Sequence, residues 1–143
     1  MQPRRADELA WTPVPAGLDT WMQVLIGPAE ASGFAMRRFR IGPGGSMPSH
    51  TNKVEHEQYV LSGCASVGLG ARVFAVHGGD VLFIPAGVVH WYRNEGDEPF
   101  VFLCLVPNRP DAIELAGDQP PRDARVGQQS AASGGGQPAA PRP

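Results

Sequence analysis

From Thr20 to Pro107 the chain is a succession of short apolar or alternating runs, each cut off by Gly, Pro, Asn or Asp before it could make an ordinary helix. The pattern predicts strands at Trp21–Ile26, Phe34–Ile41, His56–Leu61, Cys64–Leu69, Arg72–Val76, Val81–Ile84, Val88–Arg93 and Pro99–Val106. Between them lie Gly27-Pro28, Gly42-Pro43-Gly44-Gly45, Ser62-Gly63, Gly68 to Gly70, Gly78-Gly79 and Pro85 to Gly87, residues that permit positive φ or preset a turn. Many short strands at this spacing must close on themselves or stack as two sheets to protect their edges. The expectation is an all-β jelly roll or related barrel, with at most one turn of helix at Pro110–Leu115.

A chain of 143 residues is the size of one ordinary domain. The organisation expected is an N-terminal arm over 1–18, a barrel over 19–115 and a tail over 116–143. The tail is almost entirely Gly, Pro, Ala, Gln, Ser and Arg, a composition that cannot bury enough apolar surface to offset chain entropy, and it is expected to be disordered. The formal charge of −2 and pI near 6.0 provide no basic field for nucleic acid or anionic lipid. No run is apolar enough for a signal peptide or a membrane span, so a cytoplasmic protein is expected. Cys64 and Cys104 fall within apolar alternating segments and read as buried free thiols.

The chemistry-bearing residues sit in two glycine-punctuated frames. The first is Gly44-x5-His50-x-Asn52-x3-His56-x6-Gly63; the second is Gly79-x5-Pro85-x-Gly87-x2-His90-x3-Asn94. Side chains alternate across a strand, so His56, Gln58 and Val60 share one face and Glu55, Glu57, Tyr59 and Leu61 the other. The same rule groups Val88, His90 and Tyr92, then Phe102 and Cys104, then Arg37 with Phe39 and Ile41. The fourth histidine, His77, belongs to neither frame.

These frames resemble the two motifs of the cupin family, whose fold is a jelly-roll barrel (a double-stranded β-helix). The second motif matches at every defined position. In the first, Asn52 stands where a second histidine is usual, and His56 stands where glutamate is usual. The run His50-x-Asn52-x3-His56-Glu57, with Tyr59 to Gly63 and Phe102 to Pro107, is similar to the small single-domain cupins with a mononuclear four-histidine manganese site. The resemblance spans roughly Val24 to Val106. It implies a three-histidine version, with His50, His56 and His90 as metal ligands and with Arg37, Met47, Phe102 and Cys104 lining the cavity. A homodimer is also implied by the resemblance, its contact coming from the N-terminal arm and an edge strand.

Three imidazoles do not name the ion, and Cu, Mn and Fe all remain. With no carboxylate among the ligands, the divalent charge is not neutralised by protein, which favours anionic or oxygen-derived ligands at the open positions. The leading expectation is therefore a metal-dependent oxygenase or oxidative-cleavage enzyme. It would use dioxygen and an alkene, aromatic or carbohydrate substrate resting on Met47 and Phe102, with Arg37 holding an anionic group. Asn52 could leave its side open, hydrogen-bond bound water or ligate through oxygen. A redox-neutral isomerase or lyase ranks second, because the inward faces offer only Gln58, Tyr92 and Cys104 as candidates for a general base. A non-catalytic small-molecule receptor is the third reading.

Overall fold

The computed structural model describes residues 3–117, so nearly all of the predicted tail lies outside the described residues. Among the described residues ten strands form one antiparallel system. They are β1 (Thr12–Pro13), β2 (Leu18–Ile26), β3 (Phe34–Thr51), β4 (His56–Ser62), β5 (Cys64–Leu69), β6 (Arg72–His77), β7 (Val81–Ile84), β8 (His90–Arg93), β9 (Phe100–Pro107) and β10 (Glu114–Leu115). Among the described residues the only helix is a 3-10 turn at Ala6–Glu8. The strand order is β6-β5-β8-β3-β9-β4-β7, with β2 and β10 also on β3 and with β1 on β2. The all-β expectation therefore holds.

The architecture turns on β3. Its first half pairs with β9 from Phe34↔Pro107 to Ile41↔Phe100, and its second half pairs with β8 through Ser46↔Arg93, Met47↔Tyr92 and His50↔His90. One strand thus serves both halves of the curled sheet. The sequence pattern predicts that this strand ends at Ile41, with Gly42 to Gly45 as a gap. Those residues instead make a bend inside a continuous strand, where the pairing with β2 slips from Thr20↔Ile41 to Leu18↔Ser46. Gly45 is needed there, since a Cβ would lie 2.8 Å from the carbonyl oxygens of both Gly42 and Leu18.

Alternation decides which side chains turn inward. Along β4 burial strictly alternates from His56 to Val60, and along β9 Phe100, Phe102, Cys104 and Val106 are buried. Ile41, Val60, Val67, Ile84 and Phe100 are almost completely removed from water. Each such side chain contributes about 1.5–3 kcal/mol of burial free energy. Asn94 is fully buried and acts as a polar tie. Its amide donates to Ile41 O and Glu98 O, and its oxygen accepts from Gly96 N–H.

Three local expectations are corrected. Strand β8 begins at His90 rather than Val88, because Pro85 to Val89 form the turn before it. Pro110–Leu115 holds no turn of helix; it is extended and ends in β10, whose Glu114 and Leu115 pair with Thr51 and His50. Cys64 is half-buried, although both thiols are free. The N-terminal arm lies on its own barrel: β1 pairs with β2, and the buried Gln23 amide donates to Ala6 O and Leu9 O. Among the described residues no helix is long and apolar enough to cross a membrane.

Candidate metal centre

Strand pairing assembles the histidines. His50 and His90 are cross-strand partners on β3 and β8, with ring centroids 4.1 Å apart. His56 opens β4 facing inward, its ring centroid 5.6 Å from that of His90. The turn before β8 is tied to the first frame, for Gly87 N–H donates to Asn52 O at 2.8 Å. Gly87 has a φ of 76°, a conformation that suits glycine.

The histidines are oriented by their own backbone. His50 Nδ1 lies 2.7 Å from Pro48 O, and His90 Nδ1 lies 2.9 Å from Val88 O. A carbonyl can only accept, so each Nδ1 carries the hydrogen and each Nε2 keeps its lone pair. Nε2 of His56 and of His90 is buried with no hydrogen-bond partner. Burial drives all three imidazoles towards the neutral form. His56 is brought down to about 3 by burial together with the Arg37 and His90 charges, and His90 to about 4 by burial and His50. The His50 value is also lowered, chiefly by burial. Neutral nitrogens with orphaned lone pairs are what a divalent ion requires. As placed, no three His, Cys, Asp or Glu side chains among the described residues stand close enough together to hold a metal ion.

The trio faces a cavity of about 400 Å³. Arg37, Met47, Asn52 and Gln58 line it, as do Tyr92, Phe102 and Cys104, so the structure brings every candidate site residue into one space. One wall is aromatic. Phe102 stacks on Phe39 at 5.2 Å and on Tyr92 at 5.3 Å, with interplanar angles of 9° and 14°. The polar groups on that side hold one another: Gln58 Nε2 donates to Tyr92 Oη at 2.8 Å, and the Arg37 guanidinium donates to Cys104 Sγ at 3.4 Å. Burial pushes the Tyr92 hydroxyl and the Cys104 thiol up, so both stay protonated near neutral pH. Arg37 Nε is buried without a partner, and its guanidinium stands over the Phe39 ring at 5.4 Å.

Sequence reasoning missed two parts of the site. Phe39 shares a face with Arg37 and Ile41 but carries no motif signal, and it completes the aromatic stack. Asp111 lay outside both frames in a proline-rich stretch with no local signal. Its Oδ2 accepts from Asn52 Nδ2 at 2.9 Å and lies 3.9 Å from His56 Nε2, while its Oδ1 accepts from Lys53 N–H at 2.9 Å. A carboxylate that neither frame supplies therefore stands beside the imidazoles. The cause is tertiary: the chain after β9 folds back over the first motif.

Comparison with known proteins agrees with this architecture. A family model described as the cupin domain matches residues 37–106. A cupin 2 domain-containing protein from Halorhodospira halophila is 32% identical, the match covering 66% of this chain and 67% of that one, with a TM-score of 0.62. The fold and the two motifs thus define a jelly-roll barrel protein of the cupin class, and the chain belongs to the cupin superfamily. The polyketide cyclase RemF from Streptomyces resistomycificus is similar over 84% of this chain and 89% of its own, at 28% identity and a TM-score of 0.72. The 1-methylthio-D-xylulose 5-phosphate methylsulfurylase of Rhodospirillum rubrum is 32% identical over 80 residues, or 56% of this chain. That match spans about half (51%) of the enzyme's length.

Proposed function

We propose that this chain is a metal-dependent oxygenase acting on a small, largely apolar, ring-bearing molecule. The observation that carries the reading is the pair of buried, unpartnered Nε2 atoms of His56 and His90 facing an aromatic-walled cavity. Nε2 atoms of His50, His56 and His90 would hold one divalent ion. When bound, such an ion supplies Lewis acidity and, if it is Fe, Mn or Cu, electron exchange with dioxygen.

The protein's own residues prepare the rest. The Nδ1–H bonds to Pro48 O and Val88 O keep the His50 and His90 rings turned to the cavity. The Phe39–Phe102–Tyr92 stack offers a flat apolar surface to a planar substrate and excludes water from it. Arg37 has no carboxylate within ion-pair distance among the described residues, which leaves it free to receive an anionic group. The Tyr92 hydroxyl and the Cys104 thiol are held protonated, and both Asp111 oxygens already accept hydrogen bonds. The cavity is thus poorly equipped for acid–base work by side chains alone. Its volume of about 400 Å³ also suits a small molecule better than a polysaccharide chain.

A second reading is a redox-neutral ring closure or isomerisation. Similarity to the Streptomyces polyketide cyclase over most of both chains favours it. Elemental analysis and EPR of protein purified without added metal should find one divalent ion per chain, lost in His56→Ala and His90→Ala proteins that still fold. Oxygen uptake with a panel of phenolic and polycarbonyl aromatics is then expected. Turnover that proceeds equally well without oxygen would transfer the assignment to the second reading.

A further inference from the structure

Asn52 is an odd residue to bury at this place. It is 6% exposed, its Oδ1 has no partner, and it stands where the resemblance puts a histidine. Its amide is not idle, for Nδ2 donates to Asp111 Oδ2 at 2.9 Å. The other Asp111 oxygen is fixed by Lys53 N–H, so the carboxylate is held at two points on the first motif. The oxygen held by Asn52 is also the one 3.9 Å from the orphaned Nε2 of His56. Two donor atoms that share a metal ion at bond lengths of about 2.1 Å stand roughly 3.0–3.4 Å apart, for angles between the octahedral and tetrahedral values. Roughly 0.5–0.9 Å of closure would bring Asp111 and His56 onto one ion.

The segment carrying Asp111 is built as a strap. It leaves β9 at Pro107, passes Asp111 and Ile113 along the cavity and is clipped back onto β3. The clips are Glu114↔Thr51 and Leu115↔His50 in β10, the Ala116 N–H bond to Ser49 O and the ion pair of Lys53 with Glu114 at 3.7 Å. The strap is therefore hydrogen-bonded to the same strand end that carries His50.

We propose that Asp111 is the fourth ligand of the ion held by His50, His56 and His90, delivered by the strap and oriented by Asn52. The missing imidazole is thereby replaced by a carboxylate from a distant part of the chain. Asn52 is a positioning residue. The centre becomes three imidazoles and one carboxylate, which half-neutralises the ion's charge and suits Mn(II) or Fe(II) better than an all-imidazole site does. Metal binding then also fastens the strap over the cavity. This rests on the three-histidine metal reading above, and the test separates the two.

Mn(II) binding is measured by EPR-monitored titration of chelator-treated full-length protein and of its Asp111→Asn, His90→Gln and Asn52→His/Asp111→Asn variants. The expected result is Mn(II) affinity at least about 10-fold weaker in Asp111→Asn. Affinity should recover in the double variant, where an imidazole returns to position 52; that recovery also shows that removal of the Asp111 carboxylate does not by itself prevent folding. Hydrogen exchange supplies a second readout. Mn(II) should slow amide exchange over residues 108–116 in the parent protein and leave it unchanged in Asp111→Asn. Wild-type affinity in Asp111→Asn, together with loss in His90→Gln, would overturn the strap ligand and leave the histidine site standing. Absence of Mn(II), Fe(II) and Cu(II) binding in the parent protein would overturn both.

Discussion

Acidification of the metal-stripped protein reads out the state of the histidines. In the unfolded chain an imidazole takes up its proton near pH 6.5, whereas in the fold His56 does so only near 3 and His90 near 4. Above about pH 6.5 neither state binds the proton and the shifts cost nothing. As pH falls below that value the unfolded state binds protons that the folded state refuses, so stability declines until the folded values are reached. At about pH 5 the unfolded imidazoles are almost fully charged and the folded ones neutral, a difference of about 2 kcal/mol for each residue, or about 4 kcal/mol for the pair. His50 acts in the same direction. With a urea dependence of about 1–3 kcal/mol/M, the midpoint should fall by more than about 1 M between roughly pH 7.5 and pH 5. Urea unfolding followed by tryptophan fluorescence measures this. A His56→Gln/His90→Gln protein, having nothing there to protonate, should lose most of that pH dependence. The reasoning is refuted if wild type and the double variant show the same profile, for then the buried imidazoles contribute nothing to acid lability.

Replacing Arg37 by Met removes a positive charge that depresses His56, and no carboxylate loses its partner. NMR titration of metal-free protein should therefore find His56 protonating at higher pH in Arg37→Met, and an unchanged curve would deny the coupling. Asn94→Ala strands Ile41 O, Glu98 O and Gly96 N–H at a fully buried position, an expected loss of about 3 kcal/mol or more by chemical denaturation. A loss under about 1 kcal/mol would mean that water replaces all three bonds. Two glycines separate steric from torsional cost. A Cβ on Gly68 would overlap the Trp91 indole, so Gly68→Ala should cost about 1–3 kcal/mol and shift tryptophan emission. Gly70→Ala meets open space but retains a φ of 57°, and should cost only about 1 kcal/mol with emission unchanged.

Features that depend on near neighbours along the chain are legible in the residues alone. Period-two alternation marks a strand because successive side chains point to opposite faces, and it placed His56, Gln58, Phe102 and Cys104 on the inner side. Glycine and proline mark turns because they alone accept or impose certain φ values, which made the frames around His50, His56 and His90 readable. The same local logic failed where glycines bend a strand without ending it, as at Gly42 to Gly45, since only the pairing with β2, β8 and β9 distinguishes the two cases. Tertiary structure alone decided what stands opposite what. The stacking of Phe39 on Phe102, the 4.1 Å approach of His50 to His90 and the return of Asp111 to Asn52 all join residues brought together by cross-strand pairing or chain reversal. Asp111 is the sharpest case. A carboxylate 59 residues from Asn52 carries no local pattern, yet the folded chain sets it beside the histidines and with it the charge of the site.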